Sequence, residues 1–209
     1  MNVVLDTSKD FSNFDVKSFE VKPLSHAEVN EFICNWHYSK SINGVNISHA
    51  FGLLSGDNLI GAMIFGNLAM HNAWQKYVSD PSEIIELRRL CCVDKTPRNT
   101  ESYFIGKCLK WMKKNTSYKV VVSYADAFHN HSGIIYRASN FKYMGVTAKG
   151  KLIQYNGKTY HDKTIRTYYV NKSGEKNLKP FAQKIKDALL SGDANYIDTP
   201  GKHIYIYQL

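Results

Sequence analysis

The stretch between residues 84 and 124 restricts the possible fold most, because three segments with different hydrophobic periods follow one another there. Residues 84–93 are mostly apolar and predict a long strand. In residues 100–114 apolar side chains recur every three or four positions and lysines fill the opposite face, which predicts an amphipathic helix. The β-branched run at residues 119–124 predicts a central strand. The chain must therefore combine helices with a sheet.

Segments on either side extend this alternation of strands and helices. Ser25 and Glu28 form a capping-box pattern at the start of a helix that ends near Trp36. Apolar runs at residues 50–54 and 59–65 are joined by a loop containing Gly, Asp and Asn, which predicts a hairpin. The other expected elements, in chain order, are a strand at residues 19–24, a short helix at 133–138, extended chain at 141–145, strands at 152–155 and 164–170, a helix carrying Leu178, Phe181, Ile185 and Leu189, and a closing strand at 203–207.

The order of these elements predicts one domain of the α/β or α+β class, with a largely antiparallel first half. Residues 1–18 are polar and irregular, so we expect an N-terminal arm there and a single domain over residues 19–209. No apolar run approaches the roughly 20 residues that a membrane span needs, and the N-terminus lacks the pattern of a signal peptide. We therefore expect a cytoplasmic protein with no membrane contact.

The net charge narrows the class of partner, and the cysteine spacing narrows the redox compartment. The chain has 27 Lys and Arg residues against 18 Asp and Glu residues, a formal net charge of +9. This excess favours an anionic partner, such as nucleic acid, a phosphate-bearing cofactor or a membrane surface. The four cysteines form no Cys-x-x-Cys pair, which argues against a disulfide framework or a zinc site and favours buried thiols in a reducing compartment.

The loop before the helix at residues 100–114 is the first candidate site. A helix N-terminus presents unpaired N–H groups and partial positive charge, so it attracts phosphate. Residues 94–100 place two cations and two hydroxyls beside those donors. Ordinary capping by Asn99 or Thr100 explains the same residues and is favoured for this segment alone. The lack of a glycine-rich cradle argues against a P-loop hydrolase or a dinucleotide fold.

Asp126 is the second candidate, since residues 123–126 lie at the carboxyl end of the expected central strand, where open α/β sheets usually bind ligands. A carboxylate there can act as a base, orient a nucleophile or bind a metal. A turn-forming Asp that caps the next segment is an equal alternative. His129, His131 and His37 are further metal-ligand types, but a metal site needs three or four convergent ligands. Surface or capping histidines are the favoured interpretation.

Basic and aromatic residues alternate in the second half of the chain, a composition that suits stacking on bases and pairing with phosphates. A solvated strand face with half-buried tyrosines is the alternative, and the net charge favours nucleic-acid binding over it. The residues concerned are Tyr136-Arg137, Lys142-Tyr143, Lys158 to His161, Lys163, Arg166 and Tyr168-Tyr169.

Together these segments resemble the GNAT acyltransferase fold. Glu86 to Leu90, the following loop and the helix at residues 100–114 resemble its acyl-CoA pyrophosphate-binding unit, and residues 134–141 resemble its next motif. Residues 97–100 depart from the usual glycine pattern of that loop. The resemblance implies a GNAT-like domain with a mixed, mainly antiparallel central sheet flanked by helices. It also implies an acyl-CoA, such as acetyl-CoA, as cofactor.

A narrower resemblance is to the Mom-type phage DNA-modification proteins, a divergent group related to GNAT. That group converts adenine in double-stranded DNA to an N6-carbamoylmethyl form, which blocks host restriction enzymes. The resemblance implies that activity here, with double-stranded DNA as the partner and the host cytoplasm as the location if the protein is phage-encoded. It is carried, in chain order, by His37 to Ser39, Glu86 to Leu90 with the Pro97 to Thr100 loop, and residues 123–141.

The same resemblance implies the roles of individual residues. The implied reaction centre is lined by His37, Tyr38, Arg89, Ser123, Asp126 and Tyr136, and the residues implied to face the pyrophosphate of an acyl-CoA-like donor are Arg98, Asn99 and Thr100.

The implied reaction makes chemical demands of its own. The N6 amine of adenine is a poor nucleophile, so a base such as Asp126, or His37 assisted by Tyr38, must remove a proton. The target base must leave the duplex, and Tyr38, Tyr124 or Tyr136 could stack on it. The product joins N6 to a methylene carbon, so a simple acyl transfer cannot complete it. Further donor chemistry or a metal is implied, and iron near Asp126 is one option.

Two other functions fit the sequence. A plain N-acetyltransferase that uses acetyl-CoA on a protein or small-molecule amine shares the CoA site and differs only in its acceptor. A non-catalytic, DNA-binding anti-restriction protein that blocks a host enzyme would lack affinity for CoA and metal.

Overall fold

The computed structural model describes residues 9–209, and its contacts divide the chain into two compact units. The first unit holds the chain up to Ala125 together with His131–Gly145 and His203–Leu209, and the second holds Asp126–Asn130 and Val146–Lys202. The expected arm is described only from Lys9 onward. Within that part Phe11 is buried in the core of the first unit, and its N–H donates to the carbonyl of Lys95. The predicted limits of arm and domain stay a prediction.

A seven-stranded sheet forms the centre of the first unit. Its strands follow the spatial order β1-β2-β3-β4-β5-β12-β6, so a strand from the end of the chain lies between β5 and β6. The strand bounds are β1 Glu20–Pro23, β2 His49–Ser55, β3 Asn58–Gly66, β4 Ile84–Cys92, β5 Val120–Ala125, β6 Lys142–Val146 and β12 His203–Gln208.

Most pairings in this sheet are antiparallel. β1 to β4 form a continuous antiparallel meander, and β5 pairs antiparallel with β12. β4 and β5 are parallel, because the long connection between them carries a helix back across the sheet. The predicted class, a mixed and mainly antiparallel sheet flanked by helices, is confirmed.

Three helices cover this sheet: α1 His26–Trp36, α2 Thr100–Asn115 and α3 Ile134–Ala138. The predicted capping box starts α1, since Ser25 N–H donates to Glu28 Oε2 at 2.8 Å and Glu28 N–H donates to Ser25 Oγ at 3.3 Å. Helix α1 buries Val29, Phe32 and Ile33 against one hydrophobic cluster. Helix α2 buries its apolar stripe in a second cluster. The sheet thus has a hydrophobic core on each face.

The second unit has a smaller core around Ile153, Ile185 and Ala188. A three-stranded sheet in the order β11-β7-β8 packs on helix α4, and a separate hairpin is formed by β9 and β10. The bounds are β7 Gly150–Tyr155, β8 Lys158–His161, β9 Tyr168–Val170, β10 Lys176–Leu178, α4 Pro180–Ser191 and β11 Ala194–Thr199. None of the described helices is long and apolar enough to cross a membrane.

The sequence interpretation was least accurate in the second unit. Residues 164–170 were expected to be one strand, but residues 162–166 form a 3₁₀ turn, in which Lys163 N–H donates to His161 Nδ1. Only Tyr168–Val170 is extended. Leu178 was assigned to the last helix but ends β10, because Pro180 occupies the first helical turn and the residue before a proline disfavours the α conformation. Strand β11 was not predicted.

Candidate functional site

The parallel strands β4 and β5 separate before either of them ends. They pair from Ile84 with Val120 as far as Leu87 with Ser123, whereas β4 continues to Cys92. The last five residues of β4 therefore have no paired strand on that side within the described sheet. The carboxyl ends of parallel strands at such a separation expose backbone groups and form a cleft that can admit a ligand. We call this separation the strand gap.

A β-bulge in β4 lies at the start of the strand gap. Ile64 of β3 pairs with Arg89 and the adjacent Phe65 pairs with Leu87, so Arg88 is the extra residue. The bulge shifts the side-chain alternation, because Leu87 and Leu90 contact the same hydrophobic cluster although they are three positions apart. Arg88 and Arg89 consequently lie on the opposite face of the strand, on the same side as Glu86.

The hydrogen-bond donors of Arg88 and Arg89 are only partly paired with acceptors. Arg88 Nη1 donates to the Asn67 carbonyl at 3.1 Å and lies 3.5 Å from Glu86 Oε2, which also accepts the Ala69 N–H at 2.7 Å. Arg89 Nη1 donates to the Arg88 carbonyl at 2.8 Å. The Nε atoms of both arginines are buried and have no hydrogen-bond partner in the described structure. Unpaired buried donors are costly, so they mark a place suited to an acceptor oxygen.

Burial lowers the pKa of Arg89, while the nearby Tyr38 and Glu86 act in the opposite direction. Guanidinium remains charged in proteins, so Arg89 holds a partly desolvated positive charge. A charge in such surroundings stabilises a developing negative charge more strongly than one in water.

Ser123 and Tyr136 approach the strand gap from the other face of the sheet. Ser123 is fully buried, and its Oγ donates to the Leu87 carbonyl at 3.2 Å, at the last pairing of β4 with β5. Burial raises the pKa of Tyr136 to about 12, and a hydrogen bond with Ser123 opposes part of that rise. Tyr136 therefore keeps its proton at neutral pH and can donate a hydrogen bond, but it is not a ready base.

His37 and Tyr38 follow the end of α1. His37 is 5% exposed, and its Nδ1 accepts the Ser39 N–H at 3.1 Å. The same Nδ1 lies 2.8 Å from Ser39 Oγ, so Ser39 fixes the orientation of the ring. The Tyr38 ring lies 4.2 Å from the His37 ring and 5.2 Å from the His131 ring, and it is 51% exposed.

The structure thus brings together several of the residues expected from the sequence. Tyr38 lies close enough to act on the pKa values of both Arg89 and Tyr136, and Ser123 contacts Tyr136. His37 adjoins Tyr38. Tyr124, named as a possible stacking residue, packs instead against a separate cluster with Ile84, Val120, Val122, Ile204 and Ile206.

Sequence reasoning gave Glu86 and Arg88 no role of their own, although both belong to the group at the bulge. Glu86 is buried and also acts on the pKa values of Arg89 and Tyr136. A signal for them was present in Glu86-Leu87-Arg88-Arg89-Leu90, where two adjacent arginines break the period-two alternation of a strand.

The N-terminus of α2 has the features of an anion site, though not in the expected form. Asn99 occupies the N-cap position with φ of 70° and makes no side-chain capping bond. Asn tolerates this left-handed conformation, which glycine more often supplies. Thr100 is buried, and its hydroxyl donates to the Pro97 carbonyl at 2.7 Å. The first-turn N–H groups are thus left without a cap from Asn99, beside the exposed Arg98.

Asp126 is the first residue of the second unit, and its carboxylate already has a hydrogen-bond donor and a cation as partners there. It accepts the Phe128 N–H at 3.1 Å, as the cap of a 3₁₀ turn, and lies 2.7 Å from Lys202 Nζ. Burial alone would raise the pKa of Asp126, but Lys202 and the Phe128 N–H lower it below its ordinary value. The carboxylate is therefore ionised and held by a cation, which makes it a weak proton acceptor at neutral pH.

Metal ligation finds no support in the donor set. Within residues 9–209, no three His, Cys, Asp or Glu side chains are grouped so that they could hold a metal ion. The described residues therefore do not fit the iron site considered from the sequence.

Several of the basic and aromatic residues expected to meet nucleic acid are exposed. Tyr168 and Tyr169 are each 44% exposed, and the Lys176 ammonium lies 4.7 Å from the Tyr168 ring centroid. In the first unit Tyr143 is exposed, and its ring packs on the Tyr205 ring at an interplanar angle of 49°. Tyr136, by contrast, is buried beside the strand gap.

The fold of this chain is shared with a known class of proteins. The structure of Arabidopsis thaliana NAA60 in complex with acetyl-CoA matches this one with a TM-score of 0.52 at 10% identity, covering 91% of this chain and 98% of that one. The same protein in complex with a bisubstrate analogue matches with a TM-score of 0.52 at 11% identity, covering 91% and 97%. The chain has the fold of the GNAT acetyltransferases.

Sequence comparison defines the family within that class. Residues 18–209 match the Mom protein family, and the chain belongs to it. The methylcarbamoylase mom of Escherichia phage Mu is 27% identical over 184 residues, which cover 87% of this chain and 75% of that protein. The resemblance inferred from the short motifs is confirmed.

Proposed function

We propose that this protein is a DNA-modifying transferase that converts adenine in double-stranded DNA to its N6-carbamoylmethyl form and so protects the DNA from restriction. The observation that carries the proposal is the family match over residues 18–209, which includes a relative named as a methylcarbamoylase. All residues of the strand gap lie inside that match.

The chemistry at the strand gap fits the transfer of a carbon group to an amine. In the proposed reaction N6 forms a bond to the methylene carbon of the donor, the bond from that carbon to its leaving group breaks with the electron pair departing on the leaving group, and N6 loses one proton. Arg89 stabilises negative charge that develops on an oxygen of the transferred group, since its Nε is a buried donor without a partner. Tyr136 keeps its hydroxyl proton at the strand gap and can orient a reacting atom by a hydrogen bond, whereas the Ser123 hydroxyl hydrogen is donated to the Leu87 carbonyl.

Tyr38 is suited to meet the acceptor base. A purine that leaves the duplex loses its stacking, and enzymes replace this with aromatic side chains. Tyr38 is half exposed beside the strand gap, and its ring is supported from two sides by His37 and His131. We propose that Tyr38 stacks on the extruded adenine.

An acyl-CoA donor fits two features of the first unit. The unpaired edge of β4 offers backbone groups to an extended chain, and the first turn of α2 with Arg98 offers donors and charge to a pyrophosphate. Bound there, an acyl-CoA would supply an activated thioester carbonyl, which by itself forms an amide, so the bond from N6 to a methylene carbon requires further donor chemistry. We propose that Arg98 and Asn99 contact the pyrophosphate, whereas the Thr100 hydroxyl hydrogen is donated to the Pro97 carbonyl.

Mass spectrometry of nucleosides tests the proposal directly. Plasmid DNA co-expressed with the protein should contain a deoxyadenosine heavier by one carbamoylmethyl group, and DNA from an empty-vector control should not. Unmodified deoxyadenosine in cells that hold folded, soluble protein would contradict the proposal.

The alternative, an N-acetyltransferase acting on a protein or small amine, is favoured by one observation, the fold shared with NAA60. It predicts saturable acetyl-CoA binding and release of free CoA with an amine acceptor in the absence of DNA. The two functions separate when the acceptor is varied, because only the DNA-modifying enzyme requires a duplex for product formation.

A further inference from the structure

Positive charge is concentrated in the second unit. Its 62 residues contain eleven Lys and Arg against six Asp and Glu, a formal charge of +5, so fewer than a third of the residues carry more than half of the net charge of +9. Charge confined to one face or unit is the electrostatic mark of a polyanion-binding surface.

Most carboxylates of this unit are already occupied by neighbours. Asp126 pairs with Lys202, Asp162 lies 2.5 Å from Arg166 and 2.6 Å from His161, and three others accept side-chain hydrogen bonds, namely Glu175, Asp187 and Asp193. No described carboxylate lies within 4 Å of the ammonium group of Lys149 or Lys151, and both side chains are exposed. Neither cation therefore has an ion pair in the described structure, although Asp198 lies opposite Lys151 in the register of β11 with β7.

Lys149 and Lys151 line an open depression of about 570 Å³, which we call the basic depression. Its other principal residues are Asp162, Ile165, Arg166 and Tyr196. The Lys151 ammonium lies 5.7 Å from the Tyr196 ring centroid, and Tyr196 is itself 47% exposed. The lining thus has three cations and one carboxylate, which pairs with Arg166, around an accessible aromatic ring.

We propose that the basic depression binds the sugar–phosphate backbone of duplex DNA. The proposal rests on the proposed function for the choice of DNA as the polyanion. Lysines act as flexible point charges, which suits phosphates that need only be neutralised, whereas base recognition requires planar, fixed donors. The open shape admits a backbone rather than enclosing a small anion. The depression therefore contributes affinity that does not depend on DNA sequence.

Salt dependence of DNA binding is the experiment, measured by fluorescence anisotropy on the full chain. The test variant is the double substitution Lys149→Ala with Lys151→Ala. The matched control is Lys113→Ala with Lys114→Ala, which removes the same charge from exposed positions in the last turn of α2. Two labelled duplexes of unrelated sequence are titrated between about 50 and 200 mM salt.

The slope of log K against log salt should fall in magnitude by about 2 in the test variant, since each lost phosphate contact removes about 0.9. The control should keep the wild-type slope, and both duplexes should respond equally. The double variant Lys149→Arg with Lys151→Arg should restore the slope. Equal slopes in the test and control variants would overturn the proposal, as would failure of the wild-type protein to bind duplex DNA.

Nucleoside mass spectrometry separates this proposal from the proposed reaction. A reduced slope in the test variant without any modified deoxyadenosine from the wild type would sustain the backbone site and reject the reaction. Modified deoxyadenosine with an unchanged slope would sustain the reaction and reject the backbone site.

Discussion

The two units place their polar groups in opposite ways. The first unit buries a guanidinium, a phenol and a serine hydroxyl where two parallel strands separate. In the second unit the small core packs a sheet on a helix, and the lysines and tyrosines lie on the surface. Buried donors act on bonds at short range and are insensitive to salt, whereas exposed cations act over about 10 Å and are screened. Substitutions in the first unit should therefore change rates, and those in the second should change affinity.

Removal of the Arg89 charge should have the largest effect. We expect Arg89→Gln to lower the rate of product formation by about 10²- to 10³-fold, because a preorganised donor for developing charge is lost. Lys114→Gln, which removes one charge at an exposed position of the same unit, should leave the rate near that of the wild type. Nucleoside mass spectrometry after fixed reaction times measures both. Equal rates in the two variants would remove Arg89 from the reaction centre.

Gly133 should be far less replaceable than a glycine of the second unit with similar backbone. Gly133 has φ of 76° and Gly174 has φ of 82°, so alanine is strained at both. A Cβ at Gly133 would also overlap the Tyr205 ring, whereas one at Gly174 meets open space. We expect Gly133→Ala to lower the free energy of unfolding by about 3 kcal/mol and Gly174→Ala by about 1 kcal/mol. Chemical denaturation measures both, and equal losses would contradict the packing argument.

Loss of one hydroxyl at the strand gap should reduce the rate more than the stability. We expect Tyr136→Phe to slow product formation by about 10²-fold and to cost about 1 kcal/mol of stability through the lost hydrogen bond. Because the pKa of Tyr136 is about 12, the wild-type rate should show no alkaline inflection from this group up to pH 10. An inflection near pH 8 that disappears in Tyr136→Phe would refute the assigned protonation state.

Asp126 should behave as a structural residue of the second unit, with the smallest effect of the four. We expect Asp126→Asn to cost about 0.5 kcal/mol at pH 7, since Lys202 is half exposed and its charge is screened. The folded-state pKa of Asp126 is lowered, so its contribution is present above about pH 4 and is lost as the pH falls through that lower pKa.

Product yield decides between this role and the role of base inferred from the family. A yield near that of the wild type is expected for Asp126→Asn, as for Asp198→Asn, an exposed control in the same unit. A yield lowered by 10²-fold or more, the range of general-base loss, would instead establish Asp126 as the proton acceptor.

Local sequence signals predicted the elements of the first unit because they are self-contained. The capping box of Ser25 and Glu28, the hairpin loop after Ser55 and the stripe of α2 each depend on residues within a few positions of one another. In the second unit, β11 escaped prediction although Tyr196 and its β-branched neighbours lie between Gly192 and Pro200, a pattern typical of a strand.

The site depends on relations that no local pattern contains. The parallel pairing of β4 with β5, and the residue at which it ends, result from how α2 crosses the sheet. The family resemblance identified Tyr38, Arg89, Ser123 and Tyr136 as candidate site residues. The structure explains why these four side chains lie close together. The bulge at Arg88 turns Arg89 to the face that carries Glu86, and the pairing with β3 establishes the position of the bulge.

The position of β12 has a consequence for synthesis of the protein. β12 pairs with β5, yet residues 126–202 lie between them in the chain. At ribosomal speeds of about 5–20 residues per second, the edge of β5 stays uncovered for roughly 4–15 s after it is made. During that interval the nascent first unit presents the aggregation-prone edge of an unfinished sheet. The main segment of the second unit is continuous from Val146 to Lys202. This unit can therefore fold before β12 is synthesised and pairs with β5.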